Sequence, residues 1–164
     1  MNLAEAAAEA DALAEQGDER ALATLRQQWD DELEHAARAQ DYRERAVAFR
    51  AIAQFRFRQK TELLRRGLDD ESPAVRGSAL LALERLSREH PGVVNGVRPL
   101  LHELAARDPN EAVRRLAIVS LKNGSSDRAT IQLLEGLAGG EEPRELREVA
   151  GKVAQALRRK GASS

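Results

Sequence analysis

The chain has 164 residues, no cysteine, 32% charged side chains and a net charge of -1, a length that suits one compact domain burying about two thirds of the surface its unfolded form exposes. The missing cysteines exclude disulfides, thiolate metal sites and cysteine nucleophiles, while the 42% apolar share, drawn from Ala, Leu and Val with Trp29, Tyr42 and three Phe as the aromatics, favours helices packed through small side chains. No apolar run approaches the roughly 20 residues of a membrane span, and the acidic stretch from Met1 to Ala14 lacks the basic cluster of a signal peptide, so the expected location is the cytoplasm, with no membrane partner.

Turn signals divide the chain at Gly17-Asp18, Gln40-Asp41, Asp69 to Pro73, His90-Pro91-Gly92, Asp108-Pro109-Asn110, Asn123 to Asp127 and Gly139 to Pro143. The segments between them carry apolar residues at helical spacing, as in Val93, Val97, Leu100, Leu101 and Leu104, and none alternates with period two. An all-α protein of about eight or nine helices is therefore predicted. Charge is distributed in blocks: residues 1 to 34 hold ten acids and two arginines, residues 37 to 66 nine bases and three acids. Such blocks mark either a partner's footprint or a contact between the two stretches.

The second half of the pattern repeats. After Val75-Arg76 come Ala79, Ala82 and Leu83, at +3, +6 and +7 from the arginine. The frame returns at Val113-Arg114 with Ala117, Ser120 and Leu121, at Leu146-Arg147 with Ala150, Val153 and Ala154, and in a weaker copy at Arg45 with Ala48, Ala51 and Ile52. The arginines are 31, 38 and 33 residues apart, which is the signature of stacked structural repeats. Small residues one turn apart let a neighbouring helix approach closely, so each segment needs a neighbour to cover it.

The unit from Val93 to Leu121, with Pro99 in its first helix, Asp108-Pro109 in its turn and Val113-Arg114 opening its second helix, resembles the HEAT repeats, in which two antiparallel helices per unit stack into a solenoid. The resemblance is good from residue 59 to 122, fair from 126 to 158 and weaker from 18 to 57. It implies a short α-α superhelix of about four HEAT-like hairpins in one domain, 1–164: a capping helix at 1–17, a divergent repeat at 18–57, and repeats at 59–90, 92–122 and 126–160. In HEAT proteins the turn Asp and the helix Arg form ladders between successive units, so Asp70, Asp108, Arg76 and Arg114 are expected to be structural, with Asp able to cap the next helix.

The residues that carry chemistry are sparse. Asp31 and His35 lie one helical turn apart, but zinc usually needs three protein ligands. Gly139-Gly140 precede two glutamates, which would repel phosphate, and Ser125, Ser126 and Asp127 read as a helix N-cap. No catalytic set, cofactor or metal is expected. An enzyme like the HEAT-like alkylpurine DNA glycosylases or the phycobilin lyase subunits is the remote alternative; the glycosylases resemble the chain in fold only, and Trp29 stands beside Asp30 and Asp31, where DNA phosphates would be repelled, and reads as a core or inter-helix anchor.

Two binding surfaces are predicted. Second helices line the concave face of HEAT solenoids, and the +5 positions there are Arg50, Leu81, Val119 and Lys152, with Leu116 at +2 of its unit. An apolar centre with basic edges suits an acidic amphipathic helix or peptide, so the leading expectation is a non-catalytic scaffold with a protein or peptide partner. The alternative is nucleic-acid binding through Arg43, Arg50, Arg56, Arg58, Lys60, Arg65 and Arg66, with Phe49, Phe55 and Phe57 interleaved; these bases instead coat a solvated helix or pair with the acidic N-terminus in the competing reading. Self-association stays open, since the acidic first helix can dock on the basic stretch of a second copy. The 22 Arg against four Lys fit a GC-rich bacterial genome.

Overall fold

The computed structural model describes residues 1–163, so Ser164, the last residue of the expected domain, lies outside it. The described residues form ten helices: α1 (Leu3–Gln16), α2 (Glu19–Ala37), α3 (Tyr42–Gln54), α4 (Thr61–Leu68), α5 (Pro73–Ser87), α6 (Gly92–Asn95), α7 (Arg98–Arg107), α8 (Glu111–Leu121), α9 (Arg128–Ala138) and α10 (Arg144–Ala162). They divide into two compact units, Met1–Leu86 and Ser87–Ser164.

Every turn signal read from the sequence falls at a helix boundary, and local caps explain why. Asn2, Asp18, Asp41, Asn110 and Asp127 each accept a backbone N–H of the following first turn. Gly17 closes α1 in the left-handed region at φ 76°, with its own N–H on Ala14 O and that of Asp18 on Leu13 O, a closure that glycine makes without steric cost.

Two breaks carry no such signal and raise the helix number above the expected eight or nine. At the end of α3, Arg56 takes φ 60°, its N–H bonds Ala53 O and that of Phe57 bonds Ile52 O. This is the closure of Gly17 with an arginine in the glycine position. The second break, at Gly96 and Val97, separates the single turn of α6 from α7. Pro99 therefore stands in the first turn of α7 rather than inside a longer helix, where its missing N–H costs nothing.

In the first unit α1 packs on α2 and α3, and α2 packs on α3. Leu22, Leu33, Phe49, Ile52, Phe55, Leu64 and Leu68 are fully buried. Gly67 of α4 lies where α3 and α5 converge: a Cβ there would stand 2.6 Å from the Phe49 ring and 2.9 Å from the Ala79 Cβ. In the second unit α7 pairs with α8 and α9 with α10, while α7 also touches α9 and α8 touches α10. First helix on first helix and second on second is the stacking that helical repeats use. All twelve frame residues, from Ala48, Ala51 and Ile52 to Ala150, Val153 and Ala154, are buried, so the periodicity did mark the packed faces.

Candidate functional site

The frame arginines are structural, through bonds the sequence did not specify. Three reach back to the turn before their own helix, Arg45 Nη1 donating to Ala39 O and Gln40 O, Arg76 Nη1 to Asp70 O and Glu71 O, and Arg147 Nε to Glu142 O, while Arg114 Nε reaches Ala105 O in the last turn of α7. Two also reach forward to an acid in the turn before the next frame helix. Arg45 holds Asp70 with Nε and Nη2 at 2.9 and 3.0 Å, and Arg114 holds Glu142 at 2.7 Å. Burial pushes the Asp70 carboxyl up, but Arg45, the Ser72 N–H and Arg76 together outweigh it and hold it below its ordinary value.

Asp70 and Asp108 do not cap the helices that follow. Asp70 accepts from the backbone of Ser72 and Asp108 from that of Asn110, and for α8 the cap is Asn110. Each Asp braces the turn two residues ahead of itself, as short side chains do when they bond their own backbone.

The residues expected on the exposed face are split by burial. In the first unit Arg43 and Arg50 are exposed, and Leu81 is 46% exposed on a helix whose other leucines are buried. Val47 at 37% and Tyr42 at 44% join them, with the Arg43 guanidinium 5.5 Å from the Tyr42 ring centre. Val47 sits at +2 of Arg45, the position Leu116 holds in its own unit, so the frame already contained the signal that would have found it. In the second unit Leu116 and Val119 are half-buried and Lys152 is exposed.

Part of the basic stretch, Arg38, Arg56 and Lys60, is engaged by the acids of α1 and α2. Arg56 pairs with Asp11 and Glu15 of α1, as does Arg85 of α5. Lys60 donates to Asp30 at 2.7 Å and Glu34 at 2.8 Å, lying 4.8 Å from the Phe57 ring centre. Burial lowers the Lys60 amine, yet the two carboxylates raise it above its ordinary value; burial likewise lifts Glu34, and Lys60 and Arg38 bring it below. Arg38, Arg26 and Gln59 help these groups line an open groove of about 520 Å3 with Phe57 and Leu63 at its floor. Arg65 pairs with Glu62 at 3.6 Å; Arg58 and Arg66 are exposed. Phe49, Phe55 and Phe57 are 1%, 0% and 7% exposed, which removes the interleaved rings as platforms for stacked bases.

A polar cluster in the second unit closes the turn between α8 and α9. Thr130 Oγ1 donates to Asp127 and receives Arg98 Nη1 at 3.1 Å, and His102 Nε2 stands 2.7 Å from it. Arg98 also bonds Asn95, and Lys160 Nζ donates to Lys122 O and Gly124 O at 2.8 and 2.7 Å. Burial and then Arg98 press the His102 imidazole below its ordinary value against the pull of Asp127. Thr130, Lys160 and Asn95 donate to the loop of residues 122–127, and Arg98 and His102 bond Thr130 beside it, so the cluster is a brace. Asp31 and His35 are exposed and Trp29 is half-buried. Among the described residues no three His, Asp or Glu side chains are placed to share a metal, and no helix is long and apolar enough to cross a membrane.

Comparison with known proteins finds one family model that is similar to part of the chain. No curated protein matches the chain. The family model of the HEAT repeats matches residues 31–96, from the end of α2 through α3, α4 and α5 to α6, less than half of the chain. It takes in the Arg45 frame, where the resemblance read from the sequence was weaker, and ends just inside the Val93–Leu121 unit, before Arg114, where it was clearest.

Proposed function

We propose that the chain is a non-catalytic HEAT-repeat scaffold that binds a protein or peptide through the solvent face of its frame helices. The repeat bounds read from the sequence, 18–57, 59–90, 92–122 and 126–160 after a capping helix at 1–17, are the modules of that scaffold. The observation that carries the reading is the placement of large exposed apolar side chains. Four stand out among the described residues, and three of them, Tyr42, Val47 and Leu81, lie on α3 and α5, with Arg43 and Arg50 beside them on α3. Leu116, Val119 and Lys152 hold corresponding register positions in the second unit. An apolar centre edged by arginine favours an acidic amphipathic segment, whose apolar side chains give the affinity and whose carboxylates give the orientation.

The test is retention of a partner from nuclease-treated source-cell lysate at low and high salt. A discrete protein that survives both treatments, and is lost with Leu81→Asp while far-UV circular dichroism stays unchanged, supports the scaffold. Binding through Arg43, Arg50, Arg58 and Arg66 to nucleic acid predicts the opposite pattern: retention that disappears with nuclease and falls steeply as salt rises.

A further inference from the structure

The first helix is held to its own unit in two different ways. Its buried residues are Leu3, Ala6, Ala7 and Ala10, one leucine and three methyl groups, all before its last six residues, where Leu13 and Ala14 are only half-buried. Beyond them charge takes over. Asp11 Oδ1 accepts from Arg56 at 2.9 Å and from Arg85 at 2.6 Å, and Glu15 Oε1 accepts from the same two guanidinium groups at 3.4 and 3.2 Å. Asp11 and Glu15 are one helical turn apart, so a pair of arginines grips a pair of carboxylates on one helix face.

We propose that Arg56 and Arg85 form a recognition site for an acidic, small-residue-rich helix of a partner protein, and that α1 is the intramolecular occupant which that helix displaces. Three observations converge on this. The site already holds a helix of that chemistry, so the complementarity is shown rather than assumed. The grip is exchangeable: the arginine side chains are 26% and 34% exposed and the carboxylates 30% and 68%, within reach of water and screening ions. Arg56 is the one described non-glycine residue with positive φ, a conformation costly for a residue with a Cβ, and this places its guanidinium on Asp11 while a second pair of bonds ties it to Ala53 O and Gln54 O. A glycine would close α3 at lower cost and lack the clamp. Gly17, left-handed and with open space around it, is the joint about which α1 leaves. The site requires the arginines and not the exposed Leu81, so this inference and the scaffold reading stand or fall separately.

A fluorescently labelled peptide of residues 1–17 serves as the probe, measured by anisotropy against the full chain. The Asp11→Ala/Glu15→Ala chain, whose own α1 has lost both carboxylates, is expected to bind the peptide about tenfold more tightly than the unmodified chain, and less tightly as salt rises to about 0.5 M. A peptide carrying the same two alanine substitutions is expected not to bind. Equal uptake by the two chains, or uptake of the carboxylate-free peptide, overturns the proposal. Charge reversal gives an arm that does not depend on the alanine variant: the Arg56→Glu/Arg85→Glu chain must reject the native peptide and accept one with Asp11→Lys and Glu15→Lys, and failure to switch also overturns it.

Discussion

The two units solve one problem, how to anchor arginine and lysine on a helical stack, with different acceptors. In Met1–Leu86 several cations end on carboxylates far along the chain, Arg45 on Asp70 in the turn before α5, Arg56 and Arg85 on Asp11, and Lys60 on Asp30 and Glu34, beside carbonyl anchors such as Arg26 on Phe55 O. In the unit from Ser87 on, Arg98 and Lys160 end on a hydroxyl and on backbone carbonyls, with Arg114 to Glu142 and Arg158 to Glu135 as the long-range carboxylate pairs. The large exposed apolar side chains also lie in the first unit. Anchors made of opposite charges respond to salt and acid, whereas carbonyl anchors do not, so the first unit carries both the exchangeable contacts and the sticky surface.

The sharpest way to break this contrast is to remove its best-buried carboxylate. Asp70→Ala takes the carboxylate from Nε and Nη2 of Arg45, whose side chain is 11% exposed, and is expected to cost about 3 kcal/mol in denaturant unfolding. Because the folded Asp70 sits below its ordinary value of 3.8, its contribution is present above that pH and is lost as pH falls through the lower folded value; the variant should show a shallower acid transition there. Gly67→Ala, which forces a methyl group onto Phe49 and Ala79, is expected to cost about 2 kcal/mol by the same measurement.

In the second unit Lys160→Met removes two hydrogen bonds to the turn after α8 and is expected to cost about 1 kcal/mol, with little change across a salt series. A salt-dependent loss comparable to that of Asp70→Ala would erase the distinction between the units. His102 supplies a pH signature of its own. Its folded pKa lies below the ordinary 6.5, so its contribution is complete above about 6.5 and declines as pH falls from there towards the folded value. His102→Gln should flatten that decline, read from hydrogen exchange in α7 and α9. The smallest effect belongs to Leu81→Asp: at 46% exposure it is expected to change stability by less than about 0.5 kcal/mol, which is what makes it a clean probe of binding.

Much of the helical layout was legible in the residues. Caps such as Asn2, Asp18 and Asp127 and the glycine at 17 are local devices that act through their own backbone, and the frame at +3, +6 and +7 marks a packed face because the helical period fixes which side chains share it. The break after α3 carries no turn signal, since an arginine stands where a glycine would mark it, and only the repeat boundary between 57 and 59 pointed to it. The proline at 99 was misplaced because the short α6 ends without a side-chain cap or a glycine in a left-handed conformation. For the binding surfaces the sequence supplied Leu81, the arginines of the basic stretch and their pairing with the acidic N-terminus, and missed Tyr42, Val47 and Arg85.

What the sequence determined by itself is whatever depends on neighbours within about one helical turn: the helical character, most of the breaks, the buried stripes and the existence of opposite charge blocks. Only the tertiary structure decided which acid meets which base. Asp11 and Arg85 are 74 positions apart, and no periodicity encodes a contact whose partners belong to different helices. The same separation governs exposure: Leu80 and Leu81 are adjacent in the chain, one fully buried and the other nearly half exposed, because burial depends on what the rest of the chain lays over each face.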